Sequence, residues 1–257
     1  MGTAAAFARF VPANLRIRGR NWFEKNFRGT PPAVLKYRDH QLTPDLDMVL
    51  SHYRITHPRV IYLQVGAYDG ISGDPIYPLI ERHALRGVLA EPQKDAFARL
   101  RSNYAHFSGF QFVNAAISDH DGWATLFRIK PEARGPEWLH QIASLDRDVV
   151  MRHAKMVPDL ESFIETEQVR CLSFTTLFAE TGIEQVDMLQ VDAEGFDAII
   201  LQLFDIAARK PAIVRFEHKH LTIADHERSV GLLVRLGYRI YAHGTDTLAY
   251  RIGTRTS

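Results

Sequence analysis

Two apolar segments in the second half of the chain end in acidic side chains and imidazoles. The segment LQV is followed by Asp192 and Glu194, and the segment AIVRF is followed by Glu217 and His218. Open α/β sheets bind ligands at the carboxyl ends of their strands, so these side chains are predicted to meet at one crevice. They could act as a general base and its orienting partner toward a hydroxyl, which we favour, or as ligands of a divalent ion. Asp192 and Glu194 could instead cap the next helix, and His220 is assigned a structural role.

A glycine-rich loop follows an apolar, β-branched run in residues 60–75, VIYLQVGAYDGISGDP. Gly66 and Gly70 allow backbone conformations that other residues avoid, and Asp74 before a proline predicts the start of a helix. About twenty residues further on, a second apolar segment ends in Glu91, where doubly wound sheets bind ribose hydroxyls. Each feature alone would also fit a structural turn or a solvated charge. Together they predict a site for a nucleotide-like ligand.

The composition narrows the class of protein. The 257 residues, 46% of them hydrophobic, suffice for a large α/β core. The 31 basic and 30 acidic side chains leave a net charge of +1, which argues against a nucleic-acid partner. A single cysteine, Cys171, excludes an internal disulfide and favours a reducing compartment. No apolar run reaches the roughly 20 residues of a membrane span, and residues 1–20 lack the apolar core of a signal peptide, so we expect a cytoplasmic protein without a transmembrane segment.

The N-terminal part of the chain differs from the rest. Residues 1–38 carry eight basic side chains against one acidic side chain, with aromatic residues among them. This basic arm could contact a membrane surface or an acidic partner, although a simple packed or flexible extension is the favoured interpretation. A short helix is predicted over residues 43–52, with Thr43 as its cap and Pro44 as its first residue. We therefore divide the chain into an arm with a helical cover, residues 1–58, and a main domain, residues 59–257.

The main domain alternates predicted strands with predicted helices, which is typical of a parallel sheet. The predicted strands are 60–65, 87–91, 110–117, 186–191 and 212–217, the predicted helices are 75–84, 93–104, 175–181, 196–209 and 222–236, and residues 238–241 and 247–252 form an antiparallel hairpin. An extra strand, 123–129, precedes an insertion of mixed polar residues, 130–169, which is expected over the ligand-binding edge. The predicted fold is α/β: a Rossmann-like, doubly wound, mostly parallel sheet with an antiparallel C-terminal hairpin.

Four motifs in this order resemble those of FkbM-type methyltransferases, which belong to the class I S-adenosylmethionine-dependent enzymes. The resemblance covers roughly residues 58–252. The matching segments are QVGAYDG at 64–70, Glu91-Pro92, NAAISD at 114–119 and DAEG at 192–195.

The resemblance implies a role for each motif. Gly66, Ala67 and Gly70 would let the backbone approach the methionine part of S-adenosylmethionine, and Glu91 would bind its ribose. Asn114 and Ala115 would line the adenine, and Asp192 would lie nearest the site of methyl transfer.

The first motif departs from the family pattern at two positions. Gln64 stands where the family has an acidic residue, and Tyr68 stands where it has Asn. Asp69 could supply the missing carboxylate, or it could only stabilise a turn. The segment DPIY at 74–77 resembles the motif of enzymes that methylate amino groups of nucleic acids, but it follows the wrong strand, so base methylation is not expected.

The resemblance implies O-methylation of a hydroxyl on a sugar, a glycan or a polyketide-like small molecule. Asp192 or His218, with Glu194 beside them, is the predicted base. A divalent metal is not favoured; Asp192, Glu217 and His218 would be its ligands. The alternatives are a non-catalytic module that binds the cofactor or a glycan, and a nicotinamide-dependent oxidoreductase, which is disfavoured because GxGxxG and YxxxK patterns do not occur. The oligomeric state is left open, and a dimer is compatible with the sequence.

Overall fold

The computed structural model describes residues 45–251. The basic arm, Thr43 and Pro44 lie outside the described residues. The first described helix, α1, spans Leu46–Arg54, and Asp45 caps it by accepting a hydrogen bond from the amide of Met48 at 2.8 Å. The helix therefore extends two residues beyond the predicted end, and Asp45 is its cap.

Strands and helices alternate along the rest of the described chain. In chain order the elements are β1 Val60–Val65, α2 Ile80–His83, β2 Leu85–Ala90, α3 Lys94–Asn103, β3 Phe110–Val113, β4 Ala116–Ile117, β5 Gly122–Ile129, β6 Ala143–Ser144, α4 Arg147–Met151, α5 Leu160–Phe163, β7 Ile164–Leu172, α6 Phe174–Thr181, β8 Met188–Val191, α7 Asp197–Leu203, α8 Ile206–Arg209, β9 Ile213–Glu217, α9 Ile223–Arg235, β10 Arg239–His243 and β11 Asp246–Tyr250. Short 3-10 helices precede α2 (Tyr77–Leu79), follow β5 (Glu137–Gln141) and follow α4 (Arg152–Lys155).

Seven strands form the central sheet in the order β10-β11-β9-β8-β1-β2-β3. The neighbours from β9 to β3 are parallel, whereas β11 runs antiparallel to both β9 and β10. Strand β1 is buried because neighbours flank it on both sides and apolar side chains cover both faces. The predicted fold class, a mostly parallel doubly wound sheet with an antiparallel C-terminal hairpin, is confirmed.

A second, four-stranded sheet in the order β4-β7-β5-β6 was not predicted. The single strand expected at 110–117 is wrong: it divides after Val113, and β4 joins the second sheet. Strand β7 takes up the end of the predicted insertion and pairs with β5 over eight residue pairs. Along its sequence, IETEQVRCL, the inward face carries Glu165, Glu167, Val169 and Cys171, and the exposed face carries Thr166, Gln168 and Arg170.

Two predicted helices are also shorter than expected. The helix at 75–84 is a 3-10 turn followed by one turn of α2, and the helix at 196–209 is interrupted by Asp205, which has a φ of +54°. Within residues 45–251, no helix is long and apolar enough to cross a membrane.

Candidate active site

A cavity of about 250 Å³ lies where the carboxyl ends of β1, β2, β8 and β9 meet. Nine of the sequence-predicted residues line it: Gln64, Gly66, Ala67, Tyr68, Glu91, Ala115, Asp192, Glu194 and Glu217. Four others, Asp69, Gly70, Asn114 and His218, are not among its lining residues. The sheet thus brings together most of the residues that the sequence singled out.

Gly66 allows the end of β1 to touch the end of β8. Its φ is +79°, and a Cβ at this position would lie 1.8 Å from the carbonyl oxygen of Asp192. The amides of Gly66 and Ala67 both donate to the carbonyl of Ala90, at 3.0 and 3.1 Å, which joins the loop to β2. Any side chain at position 66 would separate β1 from β8 and disturb the cavity wall.

Gly70 and Asp69 shape the loop from outside the cavity. A Cβ on Gly70 would lie 2.4 Å from the ring of Tyr104, so the glycine allows the loop to pack on α3. Asp69 accepts hydrogen bonds from the amides of Ile71 and Ser72, at 3.0 and 2.7 Å, and from the Ser72 hydroxyl. Asp69 therefore stabilises a turn, which is the second of the two roles that its sequence context allowed.

Asp74 is the carboxylate that the loop presents to the cavity. The side-chain amide of Gln64 donates to Oδ2 of Asp74 at 3.1 Å, and the amide of Ile76 donates to Oδ1 at 2.7 Å. Both side chains line the cavity, and Oε1 of Gln64 is buried without a hydrogen-bond partner. The sequence predicted Asp74 as a helix cap and as the first residue of the DPIY segment, but not as a partner of Gln64, because that contact depends on tertiary structure.

Glu91 is buried at the end of β2 and holds the first loop. The amides of Tyr68 and Gln93 donate to its two carboxylate oxygens at 2.7 and 2.8 Å. Burial raises the pKa of Glu91 to about 7, although both amide hydrogen bonds act to lower it. Tyr68 itself has a left-handed backbone, with a φ of +47°, which directs its amide at Glu91.

Asn114 acts on the same region through the backbone. Its side-chain amide donates to the carbonyls of Glu91 and Pro92 at 2.8 and 3.0 Å, so it fixes the loop after β2. Ala115, the next residue, lines the cavity.

Three further carboxyl groups of the cavity, those of Asp192, Glu194 and Glu217, come from the ends of β8 and β9. Burial raises the pKa of Asp192 to about 6, that of Glu194 to about 8 and that of Glu217 to about 10; the repulsion of Asp192 adds to the shifts of Glu194 and Glu217. A general base works best when its pKa is near the working pH. Of the three carboxyl groups, that of Asp192 is closest to the end of β1, since the amide of Asp192 donates to the carbonyl of Val65 at 2.9 Å.

Neither histidine after β9 is among the cavity-lining residues, and His220, not His218, contacts the carboxyl groups. The Nδ1 atom of His218 is hydrogen-bonded to the Thr247 hydroxyl at 3.0 Å, and its ring stacks on His226 away from the cavity. His220 instead places Nε2 3.1 Å from Oε2 of Glu194 and 3.6 Å from Oε2 of Glu217. Burial lowers the pKa of both imidazoles, to about 4 for His218 and about 3 for His220, so both are neutral at pH 7.

The insertion contributes directly to the cavity wall. Gln141, Ala143, Ser144 and Leu145 line it, and the Ser144 hydroxyl donates to the carbonyl of Glu194 at 3.2 Å.

The strand order, with β11 placed antiparallel between β9 and β10, and a cavity at the carboxyl ends of the parallel strands define a Rossmann-like fold of the class I methyltransferase type. The model of the FkbM methyltransferase domain matches residues 64–240, and the chain belongs to this family. The predicted family is thereby confirmed, and the family implies S-adenosylmethionine as the methyl donor.

Solved structures with a similar fold include the methyltransferase FkbM from Methylobacillus flagellatus KT, with 12% identity and a TM-score of 0.46 over 86% of this chain and 48% of that chain. The METTL16 methyltransferase domain shares 8% identity, with a TM-score of 0.43 over 90% of this chain and 77% of that one. Aeropyrum pernix fibrillarin, solved with S-adenosyl-L-methionine, shares 10%, with a TM-score of 0.39 over 75% and 66%. The chain spans about half the length of the FkbM structure. No curated protein matches the sequence.

Proposed function

We propose that the protein transfers the methyl group of S-adenosylmethionine to a hydroxyl of a sugar, a glycan or a polyketide-like small molecule. The observation that carries this proposal is that one cavity is lined by two groups of side chains. We call the part formed after β1 and β2, with Glu91 and the Gln64–Asp74 pair, the first wall, and the part formed after β8, with Asp192 and Glu194, the second wall.

The first wall fits the methyl donor. Glu91 retains free lone pairs beside its two amide hydrogen bonds, so it can accept from the ribose hydroxyls. The carboxylate of Asp74 and the unpartnered Oε1 of Gln64 can accept from the donor's ammonium group. Gly66 lines this wall and, because it has no side chain, lets the end of β1 pack against the backbone of Asp192. When bound, S-adenosylmethionine supplies a methyl group on a positively charged sulfur.

The second wall fits an acceptor hydroxyl. Asp192 accepts the hydroxyl proton while the oxygen–methyl bond forms and the sulfur–methyl bond breaks, so that the proton ends on the carboxylate. Its pKa of about 6 leaves it ionised at neutral pH, as a base must be. His218 lies outside the cavity, so the base is assigned to Asp192, and Glu194 is assigned to the acceptor side of the same wall.

Binding of the product S-adenosylhomocysteine tests the first wall. A concentration about 100 times its dissociation constant should stabilise the protein by about 2.7 kcal/mol and raise its melting temperature, and Glu91→Ala should lose that rise. No rise at millimolar ligand would overturn the proposal.

Methyl transfer from labelled S-adenosylmethionine to a panel of sugars, glycans and hydroxylated polyketides tests the second wall. Asp192→Asn should lower turnover by about 100-fold or more while S-adenosylhomocysteine still binds. His218→Asn is the comparison, because the sequence offered both residues as the base. A larger loss in His218→Asn than in Asp192→Asn would refute the assignment of the base.

A further inference from the structure

Three buried side-chain atoms converge beside the acceptor wall without making hydrogen bonds. They are Oε2 of Glu194, Oε2 of Glu217 and Nε2 of His220. Nε2 of His220 lies 3.1 Å from the first oxygen and 3.6 Å from the second, and the side chain of His220 is 7% exposed. Buried polar atoms are nearly always hydrogen-bonded, because burial without a partner costs free energy. This cluster therefore needs an occupant or a proton to satisfy it.

The donor atoms are those of a divalent transition-metal site. Two carboxylate oxygens and one neutral imidazole nitrogen suit a first-row ion such as Mn²⁺, which accepts both kinds of ligand. Neighbouring ligand atoms around an octahedral ion are about 3 Å apart when the bonds are about 2.1 Å long. The two measured separations from His220 are close to that value.

Further ligand groups surround Glu194 on two sides. Carboxylate oxygens of Asp192, Glu194 and Glu217 lie within 4.8 Å of one another, and so do ligand atoms of His153, Glu194 and His220. Carboxylates this close together repel one another when they are ionised, and a dication between them would offset that repulsion.

We propose that Glu194, Glu217 and His220 bind a divalent cation of the Mn²⁺ type at the acceptor wall of the cavity. His220 takes the place that the sequence had offered to His218 as a metal ligand. Since Glu194 and Glu217 line the cavity, the ion would lie where an acceptor oxygen can reach it. That role in catalysis rests on the proposed function, whereas binding of the ion does not.

Titration of the full chain with MnCl₂ after treatment with a chelator tests the site, with free Mn²⁺ followed by electron paramagnetic resonance. We expect stoichiometric binding to the wild type. His220→Asn and Glu217→Gln should each weaken binding by at least about tenfold, since loss of even an outer-shell partner of a ligand weakens metal binding by about that much. His218→Asn is the matched control: it is also a buried histidine, two positions away, and it should bind Mn²⁺ as the wild type does. Absence of binding in the wild type at millimolar Mn²⁺, or wild-type affinity in His220→Asn, would overturn the inference.

Two further measurements keep the outcome interpretable. Glu217→Gln removes part of the carboxylate repulsion, so it should melt no lower than the metal-free wild type. It therefore still tests the metal site if His220→Asn fails to fold. Binding of S-adenosylhomocysteine is measured on the same samples. Mn²⁺ binding without S-adenosylhomocysteine binding would contradict the proposed function alone. S-adenosylhomocysteine binding without Mn²⁺ binding would contradict the metal site alone.

Discussion

The side-chain amide of Gln64 donates to Oδ2 of Asp74 at 3.1 Å, and this pair faces the cavity. Position 64 is where the first motif of the family has an acidic residue, and the chain restores a carboxylate there from ten residues away. Burial raises the pKa of Asp74, while the hydrogen bonds from Ile76 and Gln64 act to lower it. A cationic ligand group at this wall would favour the ionised form further.

Replacement of Asp74 by Asn should weaken the binding of S-adenosylhomocysteine. A hydrogen bond to a charged group contributes about 2 kcal/mol, so the dissociation constant should rise by roughly 30-fold in calorimetric titration. Asp69→Asn is the matched control, because Asp69 lies in the same loop but bonds only to the turn at Ile71 and Ser72. Equal weakening in the two variants would contradict the assignment of Asp74 to the donor's ammonium group.

The affinity for S-adenosylhomocysteine should increase between pH 6 and pH 8. Glu91 has a pKa raised to about 7 in the ligand-free protein, so it is mostly protonated at pH 6 and mostly ionised at pH 8. The ionised carboxylate accepts hydrogen bonds from the ribose without losing those from Tyr68 and Gln93, so the dissociation constant should fall by about tenfold over this range. Titrations in Glu91→Gln should show little of this dependence. A wild-type dissociation constant that does not change with pH would contradict the role of Glu91.

The stability of the ligand-free protein should also depend on pH through Asp197. This carboxyl group is fully buried at the start of α7, and burial raises its pKa from 3.8 to about 8, although the amides of Ala193 and Gly195 bond to it. Between about pH 4 and about pH 8 the native state therefore holds a proton that the unfolded state releases. The contribution of this protonated group to the stability is fully present below about pH 4 and is lost as the pH rises toward 8.

Asp197→Asn should remove this part of the pH dependence, because Asn resembles the neutral carboxyl group. The stability of the variant relative to the wild type should rise by about 1.4 kcal/mol for each pH unit between about 4 and 8, measured by urea unfolding. A constant difference across that range would show that Asp197 is ionised in the native protein.

The residues at the strand ends could be predicted from the sequence because a polar residue marks the point where each apolar run stops. Glu91 and Asp192 each follow such a run, and the sheet brings both ends to the same edge. The side chains beyond the last strand residue could not be predicted in this way. His218 turns back because its amide donates to the carbonyl of Thr245 at 2.9 Å, and this leaves His220 to meet Glu194.

The second sheet shows a different reason for failure. The first half of β7, IETEQ, is mostly polar, as a surface loop would be, although Glu165 and Glu167 share the inward face with Val169 and Cys171. Both glutamates are satisfied by a residue of another strand, Arg128 of β5. Local sequence does not reveal a partner that lies about forty residues away along the chain.

Gly66→Ala should be one of the most destabilising single changes in the loop region. A Cβ would lie 1.8 Å from the carbonyl oxygen of Asp192, and the φ of +79° is unfavourable for any residue with a side chain. We expect a loss of about 3 kcal/mol or more in urea unfolding, together with loss of S-adenosylhomocysteine binding. Gly244→Ala is the control, because Gly244 has a φ of +62° but no atom within 4 Å of an added Cβ. This variant should lose only about 1 kcal/mol of stability, which is what the left-handed backbone costs a residue with a side chain. Similar losses in both variants would contradict the close approach of β1 and β8.

Arg128→Met should detach the second sheet from the central domain. The guanidinium group of Arg128 is 8% exposed and donates to both carboxylate oxygens of Asp95 on α3, at 2.7 and 2.9 Å, and to Glu167 on β7 at 2.7 Å. Removal of the cation leaves the Glu167 carboxylate, which is 14% exposed, without this partner, so the loss should be about 2–3 kcal/mol in urea unfolding.

The matched control for Arg128→Met is Arg170→Met, which breaks the exposed pair between Arg170 on β7 of the same sheet and Glu180 on α6. An exposed ion pair contributes less than about 1 kcal/mol, so this variant should unfold nearly as the wild type does. Hydrogen exchange provides the second measurement: β5 and β7 should lose protection in Arg128→Met while β1 and β8 keep theirs. Since Gln141, Ala143, Ser144 and Leu145 of the insertion line the cavity, S-adenosylhomocysteine binding should weaken in the same variant. Equal stability of the two variants would mean that β5 and β7 are held by their apolar side chains alone.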